Sequence, residues 1–444
     1  MTDEKQDYGK TLNLPSTEFP MRGNLPENEP KTKAEVFDQG LYEKMLKKNE
    51  GHKTYILHDG PPYANGEIHM GHALNKVLKD TVNRFKSLQG YQTIYIPGYD
   101  THGLPTEKKA IQALGINRDE ISVSKFRDTC KDFALGYVDK QTEGFKRLGV
   151  LGDWEHPYIT LQPELEANQI KIFAEMYKKG YIYKGLKPVY WCTDCETALA
   201  EAEIEYENDP CDSIYVKFQV MDDKGVFSKL GIDPKQVYFV IWTTTTWTIP
   251  GNLAVCVGPD YEYTLVKAGS EYYCMAVELV APTMKAAGIT DYETIGTFMG
   301  SELEHIQTKH PLYDRNSMVI VGDHVTLESG TGCVHTAPGY GVEDFEVCKN
   351  YDEIGILVCV DAHGKQTAEA GEFEGMDTQQ ANKAIAAKLV ECGAMLATER
   401  IVHQYPHCWR CHQPIIYRAT EQWFCSVNGF KDEAIKAIEN VKWI

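Results

Sequence analysis

Two histidines, His69 and His72, follow the loop Gly60-Pro61-Pro62-Tyr63-Ala64-Asn65-Gly66. Its prolines remove backbone donors and its glycines let another group approach the main chain. Imidazoles at a helix start can donate hydrogen bonds to phosphate oxygens as negative charge develops. Gly71, between them, has no side chain to hold an adenine ring or a phosphate away. A second group is Cys192-Thr193-Asp194-Cys195 and, far along the chain, Cys408-Trp409-Arg410-Cys411. Two such pairs supply four thiolates, the complement of a closed tetrahedral zinc site. His407 and His412 are alternative ligands, and a redox C-x-x-C is the rival reading. A third group joins Trp242-Thr243-Thr244-Thr245-Thr246-Trp247-Thr248-Ile249-Pro250-Gly251-Asn252 to His335 and Asp344, which bracket a proline-glycine turn. A Ser/His/Asp-type triad has no nucleophile elbow to rest on here.

These residues need elements to hold them. Thr54 to Leu57 reads as a buried strand. After Gly66 the apolar residues Ala73, Leu74, Val77, Leu78, Val82, Phe85 and Leu88 fall at helical spacing, with Gly90 as the stop. Thr93 to Pro97 reads as a second strand, which completes the first unit of a nucleotide-binding parallel sheet. Asp100 then lies at the crevice end of that strand, placed to hold an ammonium group or to cap the next helix. Helices are expected over Lys31 to Lys48, Ser124 to Leu148 and Pro163 to Lys179, the first preceded by an extended proline-rich arm. From about Ala202 to Glu399 the period is that of strands: Ser213 to Val220, Val237 to Thr246, Leu253 to Val257, Tyr261 to Val266, Met318 to Val321 and Gly355 to Val360. Ile415 to Ala419 reads as a strand returning to the first domain. The wide separation of the two cysteine pairs fits a whole domain inserted between the halves of one metal site.

With 444 residues the chain is long enough for two or three domains. A hydrophobic fraction of 43% supplies their cores. A net charge of −19 argues against a generally basic nucleic-acid binder, so any RNA contact must be local. No apolar run has the length of a membrane span, and the start has no signal-peptide h-region. Thirteen scattered cysteines suit reduced thiols and a metal site better than a disulfide framework, which makes a cytoplasmic location the expectation.

The string from Gly60 to His72, followed by Pro97-Gly98-Tyr99-Asp100-Thr101-His102-Gly103-Leu104-Pro105-Thr106-Glu107, resembles the first signature region of the isoleucyl-tRNA synthetases, class I enzymes of bacterial type. The resemblance extends over nearly all of the chain. It implies an α/β fold: a Rossmann-like parallel-sheet catalytic domain, incomplete here, with an inserted β-rich editing domain and a zinc knuckle. The expected division is an arm and helix over 1–50, the first half of the catalytic domain with the first knuckle over 51–201, the editing domain over 202–399, and the second knuckle over 400–444.

The implied activity is ATP-dependent activation of isoleucine and its transfer to tRNA(Ile), with hydrolytic editing of mischarged valyl-tRNA(Ile). By the resemblance His69 and His72 are catalytic and, with Gly71, bind ATP with Mg2+. Gly60, Pro61, Asp100 and Asn252 bind substrate, Asp100 through the amino group of isoleucine. Asp344 holds the amino group of a mischarged valine, while His335 and Thr245 shape the editing pocket. The threonine hydroxyls would find partners in a pocket holding water and a 3′-terminal ribose. Cys192, Cys195, Cys408 and Cys411 hold Zn2+. The expected partners are tRNA(Ile), isoleucine and ATP, with no membrane and a monomeric state. Tyr99, Thr246 and Tyr340 stand where the family usually has tryptophan, proline and histidine. No K-M-S-K-S loop occurs in the chain, which therefore resembles the front portion of a longer enzyme. Valine or leucine specificity is the nearest rival, opposed by P-P-Y-A-N-G and D-T-H-G-L-P; an editing-only or tRNA-binding fragment is the alternative function.

Overall fold

A computed structural model describes residues 8–15, 17–20 and 22–443. The chain divides into two units, Met1–Lys178 and Lys179–Ile444. The first begins with exposed chain and two short helices, α1 (Leu25–Thr32) and α2 (Leu41–Lys48). The single helix expected over Lys31 to Lys48 is interrupted by a π turn at Lys33–Phe37 and by Gly40, whose φ of 72° is left-handed and breaks the helical path.

Next come β1 (Thr54–Ile56), α3 (Met70–Leu88) and β2 (Gln92–Ile94), with β1 and β2 paired in parallel, Thr54 opposite Gln92. The order of strand, loop, helix and strand is the one the sequence predicts, but β1 is not the buried strand expected there: Thr54 and Ile56 are exposed. The helix, however, turns a polar stripe inward. Lys76, Asp80 and Asn83 are buried, whereas Leu74, Leu78 and Phe85 are exposed. Beyond it, β3 (Gly98–Tyr99) precedes α4 (Leu104–Leu114), α5 (Val123–Arg147), β4 (Tyr158–Ile159) and α6 (Pro163–Lys178). The pair β3–β4 is parallel, and an isolated parallel bridge joins Tyr63 to Asp100. Among the described residues the strands of this unit form two short ladders and that bridge, not one continuous sheet.

The second unit opens with β5 (Ile182–Cys192), β6 (Thr197–Leu199) and the long β7 (Ile204–Asp222). There follow β8 (Val237–Thr243), β9 (Ala254–Val257), β10 (Glu262–Ala268), β11 (Glu271–Ala276), α7 (Val280–Ala286), β12 (Glu293–Met299), β13 (Gln307–Lys309), β14 (Asn316–Val321) and β15 (Cys333–Thr336). The last elements are α8 (Val342–Cys348), α9 (Thr378–Glu391), β16 (Met395–Cys408), β17 (Ile416–Cys425) and α10 (Lys431–Glu439). Ten strands make one mixed sheet in the order β12-β10-β11-β8-β15-β9-β14-β13-β7-β16, and β7 also pairs with β8. That extra ladder closes β7, β8, β15, β9, β14 and β13 into a ring. Its interior is apolar, with Val216, Phe218, Phe239, Ile241, Val255 and Val319 all buried.

Two strand expectations are corrected. β8 ends at Thr243, and Thr246–Gly251 is a 3-10 segment instead of strand. The hydroxyl of Thr248 donates to the Thr245 carbonyl and that of Thr243 accepts from the Thr245 amide, local bonds that compete with a ladder. Gly355 to Val360 is irregular apart from a bridge between Val360 and Gln366. The Ile415–Ala419 segment does become a strand, β17, antiparallel to β5.

Gly98 shows why glycine stands in the Pro97-Gly98-Tyr99-Asp100 stretch. A Cβ there would lie 2.0 Å from the Tyr158 ring, whose hydroxyl holds the Asp59 carbonyl at 3.0 Å. Gly98→Ala is expected to lower stability by about 1–3 kcal/mol through overpacking, read as a lower urea midpoint with unchanged slope.

Candidate active and metal-binding sites

At the start of α3 the two histidines cap the helix. Nδ1 of His69 accepts the Gly71 N–H at 3.1 Å, and Nδ1 of His72 accepts the His69 N–H at 3.3 Å. An Nδ1 that accepts cannot carry a proton, so each neutral ring bears its hydrogen on Nε2. The rings stack with centroids 3.8 Å apart. Burial, then the neighbouring His69 and Lys76, hold His72 below the ordinary imidazole range, in keeping with its neutral form. Gly71 permits this arrangement, since a Cβ on it would meet the His69 ring at 3.0 Å. The result is two Nε2–H donors at a helix N-terminus, a setting suited to an anion.

The preceding loop is pinned from several sides. Asp100 N–H donates to Pro62 O and Ala64 N–H to Asp100 O, both at 2.8 Å, which brings the two distant signature stretches together. Gln141 of α5 donates to the carbonyls of Tyr63 at 3.0 Å and Gly66 at 2.8 Å. A Cβ at Gly60 would meet open space, so packing does not demand glycine there. Among the described residues the Asp100 carboxylate accepts a long bond, 3.4 Å, from the His102 N–H, which leaves acceptor capacity for an ammonium group. Tyr99 is buried, its hydroxyl 2.6 Å from Thr142.

In the second unit a cavity of about 290 Å3 is lined by Thr243, Thr245, Thr248, His335, Tyr340 and Asp344. The threonine tract, His335 and Asp344 are thus brought together, whereas Asn252 stands behind the wall. Its amide donates to His335 Nδ1 and to Ala254 O, both at 2.8 Å, and its carbonyl accepts from Ser317. With Nδ1 accepting, His335 carries its hydrogen on Nε2, 2.9 Å from Thr248, whose own hydrogen goes to Thr245 O at 2.8 Å. Burial drives His335 down to about 4, so it is neutral in this network. Asp344 is the charged group of the cavity. Burial pushes its carboxyl up to about 6, against the pull of one bond from Ala337 N–H at 2.8 Å. His335 and Asp344 share the cavity without a bond between them being needed for either orientation.

The four cysteines also converge. Their Sγ atoms lie within 4.8 Å of one another, with Cys192 to Cys411 at 3.4 Å and Cys195 to Cys408 at 3.9 Å. Four thiolates about 2.3 Å from one tetrahedral ion would be about 3.8 Å apart, so the set fits zinc. His407 instead bonds Tyr405 O at 3.0 Å, and His412 faces Glu205 at 3.3 Å.

Several site residues escape a sequence reading. Ser317 and His324, which respectively orients Asn252 and lines the cavity, carry no local signal. Gln141 does: it is the polar member of the stripe Ala134, Val138, Gln141 and Phe145, all buried. Asp59 and Lys76 form a buried ion pair, signalled only by Lys76 and Lys79 falling on the same helical face as His72.

The family model for class I tRNA synthetases (I, L, M and V) matches residues 33–444. Similar curated proteins named isoleucine–tRNA ligase include that of Caldicellulosiruptor saccharolyticus, 59% identical over 438 residues, covering 99% of this chain and 48% of that protein. That of Thermoanaerobacter sp. (strain X514) is 56% identical over 437 residues, covering 98% and 47%. That of Moorella thermoacetica is 56% identical over 438 residues, covering 99% and 46%. The chain spans about half the length of the curated relatives it matches.

Asp344 gives a signed test. Its folded pKa lies above the unfolded one, so ionisation costs stability as pH rises from about 4 through about 6. Asp344→Asn keeps an acceptor for Ala337 N–H and escapes that cost. The variant is expected to exceed wild type by about 3 kcal/mol at pH 7, at roughly 1.4 kcal/mol per unit, and to match it near pH 4, measured by urea unfolding across pH.

Proposed function

We propose, from the premise that the chain belongs to the class I tRNA synthetases (I, L, M and V), that it acts in isoleucine–tRNA ligation. It would form isoleucyl-adenylate from isoleucine and ATP, serve transfer of the acyl group to tRNA(Ile), and hydrolyse mischarged valyl-tRNA(Ile). The observation that carries the reading is the 290 Å3 cavity, where a single carboxylate, Asp344, faces the hydroxyls of Thr243, Thr245 and Thr248. An α-ammonium group and a ribose ask for that combination of charge and hydroxyls.

In the activation step the isoleucine carboxylate attacks the α-phosphate of ATP, and pyrophosphate leaves. The Nε2–H groups of His69 and His72 donate to phosphate oxygens as charge builds, and Asp100 holds the isoleucine ammonium. Bound to ATP, Mg2+ would supply further screening of the phosphate charge beside the two imidazoles. In the editing step water adds to the ester carbonyl of valyl-tRNA and the ribose oxygen leaves. Asp344 anchors the valine ammonium, while His335, neutral and fixed by Asn252, shapes the wall. A second chamber is needed because one missing methylene changes binding by only about 1–3 kcal/mol, whereas a small pocket excludes isoleucine by size.

On this reading residues 51–201 are the first half of a Rossmann-like catalytic domain, which the parallel β1–α3–β2 unit supports. Residues 202–399 are the inserted editing domain, supported by the closed ring of strands. The arm over 1–50 and the second knuckle over 400–444 flank them, and Zn2+ is held by Cys192, Cys195, Cys408 and Cys411. No described helix is long and apolar enough to cross a membrane. The reading places the enzyme in the cytoplasm as a monomer.

Two measurements test it. The chain should deacylate valyl-tRNA(Ile) faster than isoleucyl-tRNA(Ile), and Asp344→Ala should slow the former about 10- to 100-fold; equal rates on both substrates would sink the editing assignment. Atomic absorption should find one zinc per chain, lost in Cys408→Ser but kept in Cys392→Ser, and chelation should lower the melting temperature.

A further inference from the structure

Helix α3 buries charge where an amphipathic helix would bury leucine. Lys76 is 2% exposed and Asp59, just before Gly60-Pro61-Pro62, is also 2% exposed. One Asp59 carboxylate oxygen accepts from the Lys76 ammonium and the other from Lys79 at 2.6 Å. Lys76 also donates to the Tyr95 hydroxyl at 3.2 Å and lies 5.2 Å over the Phe145 ring. Phe145 in turn meets His72 edge to face at 6.4 Å. His72, Lys76 and Lys79 are spaced four and three residues apart, so they share one face of the helix. Burial pushes the Asp59 carboxyl up, yet the bonds from Lys76 and Lys79 outweigh it and hold the group below the usual carboxylate range.

A buried ion pair of this kind seldom adds stability over an apolar pair of the same volume, so its presence asks for another reason. The geometry offers one. The loop of two prolines has no ladder of its own, and Asp59 is the point where it is tied to the helix bearing the two imidazoles. Tyr158 secures the Asp59 carbonyl from the other side at 3.0 Å.

We propose that Lys76 and Asp59 are positioning residues for the nucleotide site: their buried pair registers the loop of residues 59–66 against α3, so that His69 and His72 stay in the cap and present both Nε2–H groups outward. This rests on the reading of that helix end as the phosphate site. Neither residue touches substrate; they act through the imidazoles.

The test uses the full chain labelled with 15N-histidine and 15N-glycine. Wild type is expected to show both rings as the Nε2–H tautomer, with slowed exchange of the His69 and Gly71 amides that the rings accept. Lys76→Met should mix the tautomers and speed exchange of those two amides at least about 10-fold, with global unfolding still cooperative. If Lys76→Met does not fold, the double variant Asp59→Leu/Lys76→Met, which leaves no bare partner in the pair, replaces it. A folded variant with wild-type tautomers and exchange overturns the proposal. Added Mg-ATP separates the two claims: shifts of the Nε2–H signals support the phosphate site, and their absence in wild type removes that reading while the tautomer and exchange data still decide the positioning role.

Discussion

The second unit depends on the pairing of β7 with β16. That ladder runs without a break in partnership from Ile204 opposite Cys408 to Val216 opposite Met395, with one register shift at its far end. It joins segments nearly two hundred residues apart, so its loop-closure entropy is large and must be met by burial elsewhere. At one end it delivers Cys408 and Cys411 to Cys192 and Cys195. At the other it brings β7 into the ring, where β7 pairs with both β8 and β13. The four-cysteine cluster and the cavity wall are consequences of one ribbon, and a slip by one residue would reverse which side chains face the ring interior.

What the sequence made legible was local or chemically unambiguous. The β1–α3–β2 unit follows from a change of apolar period at Gly66, and the convergence of the four cysteines follows from two C-x-x-C pairs read as halves of one site. The threonine tract departs in part from its propensity. Propensity favours strand for Thr243 to Thr246, but side-chain hydroxyls that bond their own backbone turned the chain at Thr245 instead. Gly355 to Val360 forms no strand although its sequence predicts one, because an apolar run specifies burial without specifying a ladder partner. The α3 interior was hidden for a different reason: its apolar spacing is genuine, while the buried face is set by Asp59, a partner lying outside the helix. Long-range polar pairs such as Ser317 with Asn252 leave no periodic trace at all.

Histidine is used in the same way in both units, as a neutral and oriented group. In each case an N–H donor fixes Nδ1 as acceptor: backbone amides for His69 and His72, the Asn252 amide for His335. The consequences differ with burial. His69 is exposed, so its Nε2–H is available to a ligand. His335 is buried, and its Nε2–H is spent on Thr248 within the wall. A proton added to His335 would break the Asn252 bond and leave a charge in an apolar ring, which argues against a general-base role and for one of shape.

The carboxylates of Asp59 and Asp344 make the complementary case. Asp59 is answered by two ammonium groups, so its charge is satisfied before any ligand arrives. Asp344 has one amide donor and stays a high-energy anion at neutral pH, its carboxyl raised to about 6 by burial. An uncompensated carboxylate gains most from a cation, because the desolvation is already present in the free protein and the ligand brings only the attraction. An ammonium-bearing substrate would therefore be drawn to Asp344 and not to Asp59, though the latter is the more deeply enclosed. The difference lies in partners, not in depth: the same side chain is scaffold where its charge is answered within the fold and a binding group where it is not.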